Sequence, residues 1–286
     1  MSPQWRSREV ADVLRWLRAF NDGRPDKVRF TGVEYYLTGP DAYDDVAAHV
    51  AAAAPERAAE LGGHLAAVRP ATDDVFAHIQ AYASAPDQEP YLRHARAVRD
   101  LVAAVPHAPG DRDHATAVHT ADQIVAFYEH FALPEPDSHA FRDEHAAANL
   151  RWWHEQTGGK TAYWAAAPHT ADAARMRITS PDGGELRFAG AGSHLRERYG
   201  ARYLSIGFTF ERGSVSGGPQ PIELPAPAAG WFEQPFARSG LDAFVLDLRS
   251  PAPPPVREWL DAPLTTRGPM GPGSTTDGGR RRSGST

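Results

Sequence analysis

At Gly158-Gly159 the hydrophobic period of this chain changes, and the change limits the folds open to it. Up to Thr157 apolar side chains recur at helical spacing. Beyond the glycine pair they come in short runs rich in β-branched and aromatic residues. Such a chain has to pack strands against helices.

In the first half, REVADVLRWLRAF over residues 8–20 places Val10, Val13, Leu14, Leu17 and Phe20 on one helical stripe. Asn21-Asp22-Gly23 stops that helix. KVRFTGV, Lys27 to Val33, reads as a strand that opens onto Glu34, Tyr35 and Tyr36. From Pro40 to Ala104 the chain is alanine-rich and helical in period, with Asp41 and Thr72 as expected N-caps and breaks near Pro55, Pro70 and Pro86. Another helix is expected from about Asp113 to Phe131. After the linker Pro134-Glu135-Pro136-Asp137, a helix capped by Asp137 or Ser138 runs to about Thr157.

In the second half, strands are expected at 160–167, 203–210 and 243–248, with helices near 192–199 and 231–239. Alternation of this kind predicts an α/β fold: a mainly parallel sheet flanked by helices, with the block at about 40–131 as a large helical insertion or cap. Residues 1–262 then form one domain. Residues 263–286, built of Gly, Pro, Ser and Thr with Arg280, Arg281 and Arg282, are expected to be a disordered tail.

Composition narrows the function. A hydrophobic fraction of 42% over 286 residues supports a real core. The net charge of −6 argues against a dedicated nucleic-acid surface. Absence of cysteine excludes disulfides, thiolate catalysis and Cys-ligated zinc. The start has no secretory h-region, and no apolar run approaches the ~20 residues of a membrane span. The expectation is a soluble cytoplasmic protein acting on a small molecule, with no nucleic-acid or membrane partner. No signal speaks to oligomeric state.

Open α/β sheets bind ligands at the carboxyl ends of their strands. Two expected strands end in reactive groups, Glu34 and His169. If they are parallel neighbours, a carboxylate and an imidazole converge, and the carboxylate can orient a base that takes a proton from water. The alternative makes Glu34 a loop or cap carboxylate and His169 a satisfied surface histidine. Arg142, His145 and Asn149 share one helical face, suited to positioning a substrate oxygen or to a plain polar stripe. Thirteen histidines raise the question of metal, but no HExxH occurs, and neither GxSxG nor a complete P-loop is present. No metal or cofactor is expected.

The order of these pieces resembles the erythromycin esterase family over about residues 8–250. The resemblance rests on EVADVLRWLRAFN before KVRFTGVE and on an RDxxMAxNLxW-type helix, here Arg142 to Trp152. A GGK turn and a strand end like W-A-H-N-x-H follow, here Trp164 to His169. The G-x-x-L-R-x-x-x-G and Y-x-x-I-G-F-T-F segments lie between Gly192 and Gly213. It implies hydrolysis of an ester or macrolide lactone by water, with antibiotic inactivation as a possible role. By position, His169 and Glu34 would be catalytic. Arg142, Asn149, His145 and Tyr35 would meet the substrate. Two departures stand out. Ala166 and Ala167 replace the first histidine and the asparagine of the strand-end motif. The GExxHGxxE-like motif that carries the family's main base is absent, so the chain reads as an N-terminally shortened relative. Two further readings stay open: a non-catalytic small-molecule-binding relative, and a helical interaction module built on residues 40–130.

Overall fold

A computed structural model of the chain describes residues 7–180, 182–216, 221–262, 265–267 and 275–277. Ten α-helices and six short strands lie within them. Helix α1 (Arg8–Asn21) is capped by the Ser7 hydroxyl, which accepts from the Val10 amide. A 3₁₀ turn, Tyr35–Leu37, leads into α2 (Pro40–Ala53), α3 (Ala58–Val68), α4 (Val75–Ala83), α5 (Glu89–Ala103), α6 (Arg112–Ala132) and α7 (Asp137–Thr157). The expected helical block is therefore present. Its caps differ in detail: Asp74 rather than Thr72 accepts from the first turn of α4, and Asp41 lies inside α2. Asp111 takes two amides, of Asp113 and His114, at the start of α6. Gly158 ends α7 with φ at 66°, a left-handed conformation that favours glycine.

The main core sits within this bundle. Ala121, Ile124, Phe127 and Tyr128 form the buried stripe of α6. They meet Tyr43, Val46 and Val50 of α2 and Val98, Leu101 and Val102 of α5. Complete burial of Phe127 contributes about 2–3 kcal/mol. The Tyr128 hydroxyl donates to the Val68 carbonyl and meets His78 Nε2 at 2.8 Å, so this buried polar tip is satisfied. No helix among the described residues is long and apolar enough to cross a membrane.

Beyond α7 come α8 (Ala167–Thr170), β1 (Met176–Thr179), β2 (Glu185–Phe188), α9 (Ala191–Tyr199), β3 (Gly213–Ser216), β4 (Pro221–Leu224), α10 (Pro254–Asp261), β5 (Thr265–Arg267) and β6 (Thr275–Asp277). One sheet has the order β2-β1-β6-β5 and the other is the β3-β4 hairpin. All these pairs are antiparallel, and parallel pairing among the described residues is confined to an isolated bridge between Trp231 and Thr265. The mainly parallel sheet expected from the sequence is thus not found among them; the fold is mixed, mostly helical, with two small antiparallel sheets. The stretches 27–33, 160–166, 203–210 and 244–247 form neither helix nor strand and join no ladder. Leu204, Ile206, Phe208 and Phe210, alternate residues of one such stretch, are all exposed. Pairing instead follows local turn chemistry. Between β1 and β2, Gly183 takes φ 87°, a conformation that favours glycine. Of the tail expected to be disordered, 265–267 and 275–277 are described and lie in the four-stranded sheet; the rest falls outside the described residues.

Two histidines tie α6 to its surroundings in neutral form. His119 stacks on Trp152 of α7 at 3.9 Å, and His130 Nδ1 bonds the Tyr35 hydroxyl at 3.0 Å. Burial pushes each imidazole down to about 4, with the Arg142 charge adding to the effect on His130. An unfolded histidine titrates near its ordinary value of 6.5. Between those two values the unfolded chain binds more protons, so stability falls as pH drops through that window and loses nothing further below about 4. Allowing for partial exposure, each histidine accounts for about 1–2 kcal/mol. Denaturant melts from neutral pH down to about 4 should show this loss, and His119→Gln should flatten it.

Candidate active site

Helix α7 organises the site because one residue breaks its apolar stripe. Asp143, Ala146, Ala147 and Leu150 stand at i, i+3, i+4 and i+7, and all four are buried. Asp143 is only 1% exposed, so its carboxylate must be paired within the protein. His169 Nδ1, from the single-turn helix α8, lies 2.9 and 3.0 Å from its two oxygens. The Ala191 amide, first residue of α9, donates to Asp143 Oδ1 at 2.8 Å. The charge thus sits at a helix N-terminus, where the dipole favours it.

A carboxylate only accepts, so Nδ1 of His169 carries the proton and Nε2 of the neutral ring is the basic nitrogen. No described residue bonds that Nε2. The imidazole is partly exposed, at 18% of its side chain, above a buried partner.

Two glycines hold α8 in place. A Cβ on Gly190 would overlap the Pro168 carbonyl oxygen, and one on Gly192 the carbonyl oxygens of Thr170 and Ala171. The start of α9 can approach the backbone that carries His169 only where side chains are absent. The Tyr203 hydroxyl closes the same corner by donating to the Thr170 carbonyl at 2.6 Å.

Glu34 comes to α7 beside this dyad but pairs elsewhere. Arg142 Nε and one terminal nitrogen donate to its two oxygens at 2.8 and 3.0 Å, a bidentate pair about one-quarter exposed. The guanidinium also lies 4.5 Å from the Tyr36 ring centroid. Glu34 and His169 are therefore linked through neighbouring residues of α7, Arg142 and Asp143. The expectation that Glu34 itself orients His169 is corrected: Asp143 does so.

The other expected substrate contacts are used inside the protein. Asn149, 5% exposed, donates to the Val33 carbonyl at 2.8 Å and to Gln123 Oε1 at 2.6 Å. It pins the stretch before Glu34 onto α7. Tyr35 is core, and its hydroxyl is committed to His130. His145 Nδ1 donates to the Phe141 carbonyl at 2.9 Å while its ring stacks on Phe141. All three buttress the site rather than line it.

A hollow of about 310 Å³ opens along the first turns of α7, lined by Tyr36, His130, Phe131, Glu135, His139 and Arg142, among others. A second of about 450 Å³ lies between α7 and α9 around Glu144, Arg151, His194 and Arg198. Neither is lined by His169 or Asp143; the first borders Arg142, the residue next to Asp143 on α7. Among the described residues no three His, Asp or Glu side chains converge to hold a metal ion.

The family model described as erythromycin esterase matches residues 1–277. The chain belongs to the erythromycin esterase family. No curated protein matches it. Among solved structures, a Bacillus cereus protein superposes with a TM-score of 0.79 at 22% identity, over 98% of this chain and 70% of its own. A succinoglycan biosynthesis protein gives 0.76 at 21%, over 92% and 64%. A mutant of the erythromycin esterase EreC in its open conformation gives 0.64 at 15%, over 94% and 70%. At these identities the likeness is one of fold. The chain spans about two-thirds of the length of these neighbours.

Within the esterase family motif of α7, the residue that sequence reasoning missed is Asp143. Its signal was legible: an acidic side chain at an apolar-stripe position, which can be buried only with a partner.

Proposed function

We propose that this member of the erythromycin esterase family hydrolyses a small-molecule ester or a macrolide lactone in the cytoplasm, with water as nucleophile. The observation that carries the reading is the His169–Asp143 pair: a partly exposed imidazole whose Nδ1 is fixed by a buried carboxylate. Nε2 takes a proton from water as the oxygen attacks the ester carbonyl. The imidazolium so formed lies against the Asp143 charge, which stabilises it. When the tetrahedral intermediate collapses, the carbon–oxygen bond to the leaving group breaks and the same proton passes to the leaving oxygen. Arg142, bidentate to Glu34, supports the wall of the hollow. Inactivation of a macrolide antibiotic is the narrower form of the same proposal.

A second reading has its own observation. Ala166 and Ala167 occupy the places of a histidine and an asparagine in the family's strand-end motif. A relative that binds such molecules without turning them over would carry such losses.

The purified chain, incubated with para-nitrophenyl acetate and a set of macrolides, should yield acid and alcohol, or a ring-opened product heavier by one water. His169→Ala should lower turnover at least ~10-fold. Binding without product, or equal rates in both proteins, favours the second reading.

A further inference from the structure

Bidentate pairing with Glu34 commits Arg142, leaving the charge that develops on the ester carbonyl oxygen without an assigned partner. His139 stands one turn earlier on α7, at i−3 from Arg142 and i−4 from Asp143, and therefore on their face. It lines the hollow of about 310 Å³. Its ring centroid lies 5.7 Å from that of Phe188, and the His169 ring lies 6.2 Å from the same phenylalanine. The two imidazoles thus flank one aromatic side chain.

Hydrogen bonding sets His139 apart from its neighbours. Nδ1 of His130 is bonded to Tyr35, that of His145 to the Phe141 carbonyl, and that of His169 to Asp143. Nδ1 of His139 is sealed from solvent and has no partner among the described residues, which leaves Nε2 as the nitrogen to meet a ligand in the hollow. A ring nitrogen sealed off in this way is the bare acceptor of a neutral imidazole, which places the proton on Nε2.

We propose that His139 is the second catalytic imidazole of this site, a neutral hydrogen-bond donor to the carbonyl oxygen of the bound ester. This inference rests on the hydrolytic reading above. Burial holds the His139 imidazole below its ordinary value, with the nearby Arg142 and His169 charges acting in the same direction and those of Glu135 and Asp143 opposing. A neutral ring adds no positive charge beside the imidazolium that forms on His169. It gives up no proton, so the proton taken from water travels only through His169. A neutral imidazole polarising a carbonyl is known chemistry for enzymes. It also gives this chain two imidazoles at the reacting group although position 166 is alanine.

The test compares His139→Leu, which keeps bulk but cannot donate, with His139→Gln, which restores an N–H. Loss of one such donor should lower kcat for para-nitrophenyl acetate ~10²-fold with KM nearly unchanged, and His139→Gln should recover most of it. Melting temperatures close to the parent's show that the variants fold. If His139→Leu turns over like the parent while His169→Ala does not, His139 has no such role and the hydrolytic reading stands. If the parent hydrolyses nothing, phenylphosphonate, a tetrahedral oxyanion, replaces the ester. NMR shifts of both the His139 and His169 rings on titration support a shared site, and an unmoved His139 ring overturns the proposal.

Discussion

Asp143→Asn lowers kcat for ester hydrolysis by ~10³-fold or more while the protein stays folded. The asparagine oxygen can still accept from the Ala191 amide, so the start of α9 keeps its partner. At the place of Oδ2, 3.0 Å from His169 Nδ1, the side chain however now presents an NH₂ donor. That turns the imidazole to the tautomer protonated on Nε2, which cannot take a proton from water. The imidazolium formed in the reaction also loses the negative charge beside it. Rates with para-nitrophenyl acetate, read beside a melting curve, check this. A parent-like rate would mean that the Asp143–His169 bond serves packing alone.

Gly192→Ala acts on stability and activity together. Its Cβ would enter the carbonyls of Thr170 and Ala171, so α8 and α9 must separate. Backbone has little room to yield, and overpacking of this kind costs about 1–3 kcal/mol. His169 sits on the segment that moves, and a displacement of about 1 Å is enough to cost ~10²-fold in rate. Gly62→Ala is the contrasting case. It lies inside α3 with nothing within 4 Å of an added Cβ, and should stabilise by about 0.5–1 kcal/mol without changing the rate. A Gly192→Ala protein as stable and active as the parent would show that this close approach does not position His169.

Helices were the legible part of the sequence. Their stripes are local, and the breaks at Pro55, Pro70 and Pro86 are set by backbone chemistry, so the block from Pro40 to Ala132 emerged close to its observed bounds. Strand pairing is not local. YLSIGFTF at 203–210 carries the composition of a strand and joins no ladder, since composition says nothing about which neighbour, if any, it bonds. The β1-β2 hairpin could have been read from PDGG between MRIT and ELRF, a turn signal masked by the expectation of βα alternation. At the candidate site, His169 and Arg142 stand out in sequence because their motifs are spaced along the chain. Glu34 was placed beside the right helix but given the wrong partner, since spacing cannot tell Arg142 from His169. Asp143 stands inside a motif, and only its burial marks it as a charge in an apolar stripe. Asn149 and Tyr35 look like binding groups in sequence and act as internal fasteners, a distinction that only burial and partners reveal.

The central claim is that His169, held by Asp143, activates water against an ester carbonyl. It is tested most directly by turnover in water enriched in oxygen-18, with products weighed by mass spectrometry. The account predicts one heavy oxygen in the released carboxylate, none in the alcohol, and loss of the labelled product in His169→Ala. Label in the alcohol, or equal labelling by the His169→Ala protein, would contradict it.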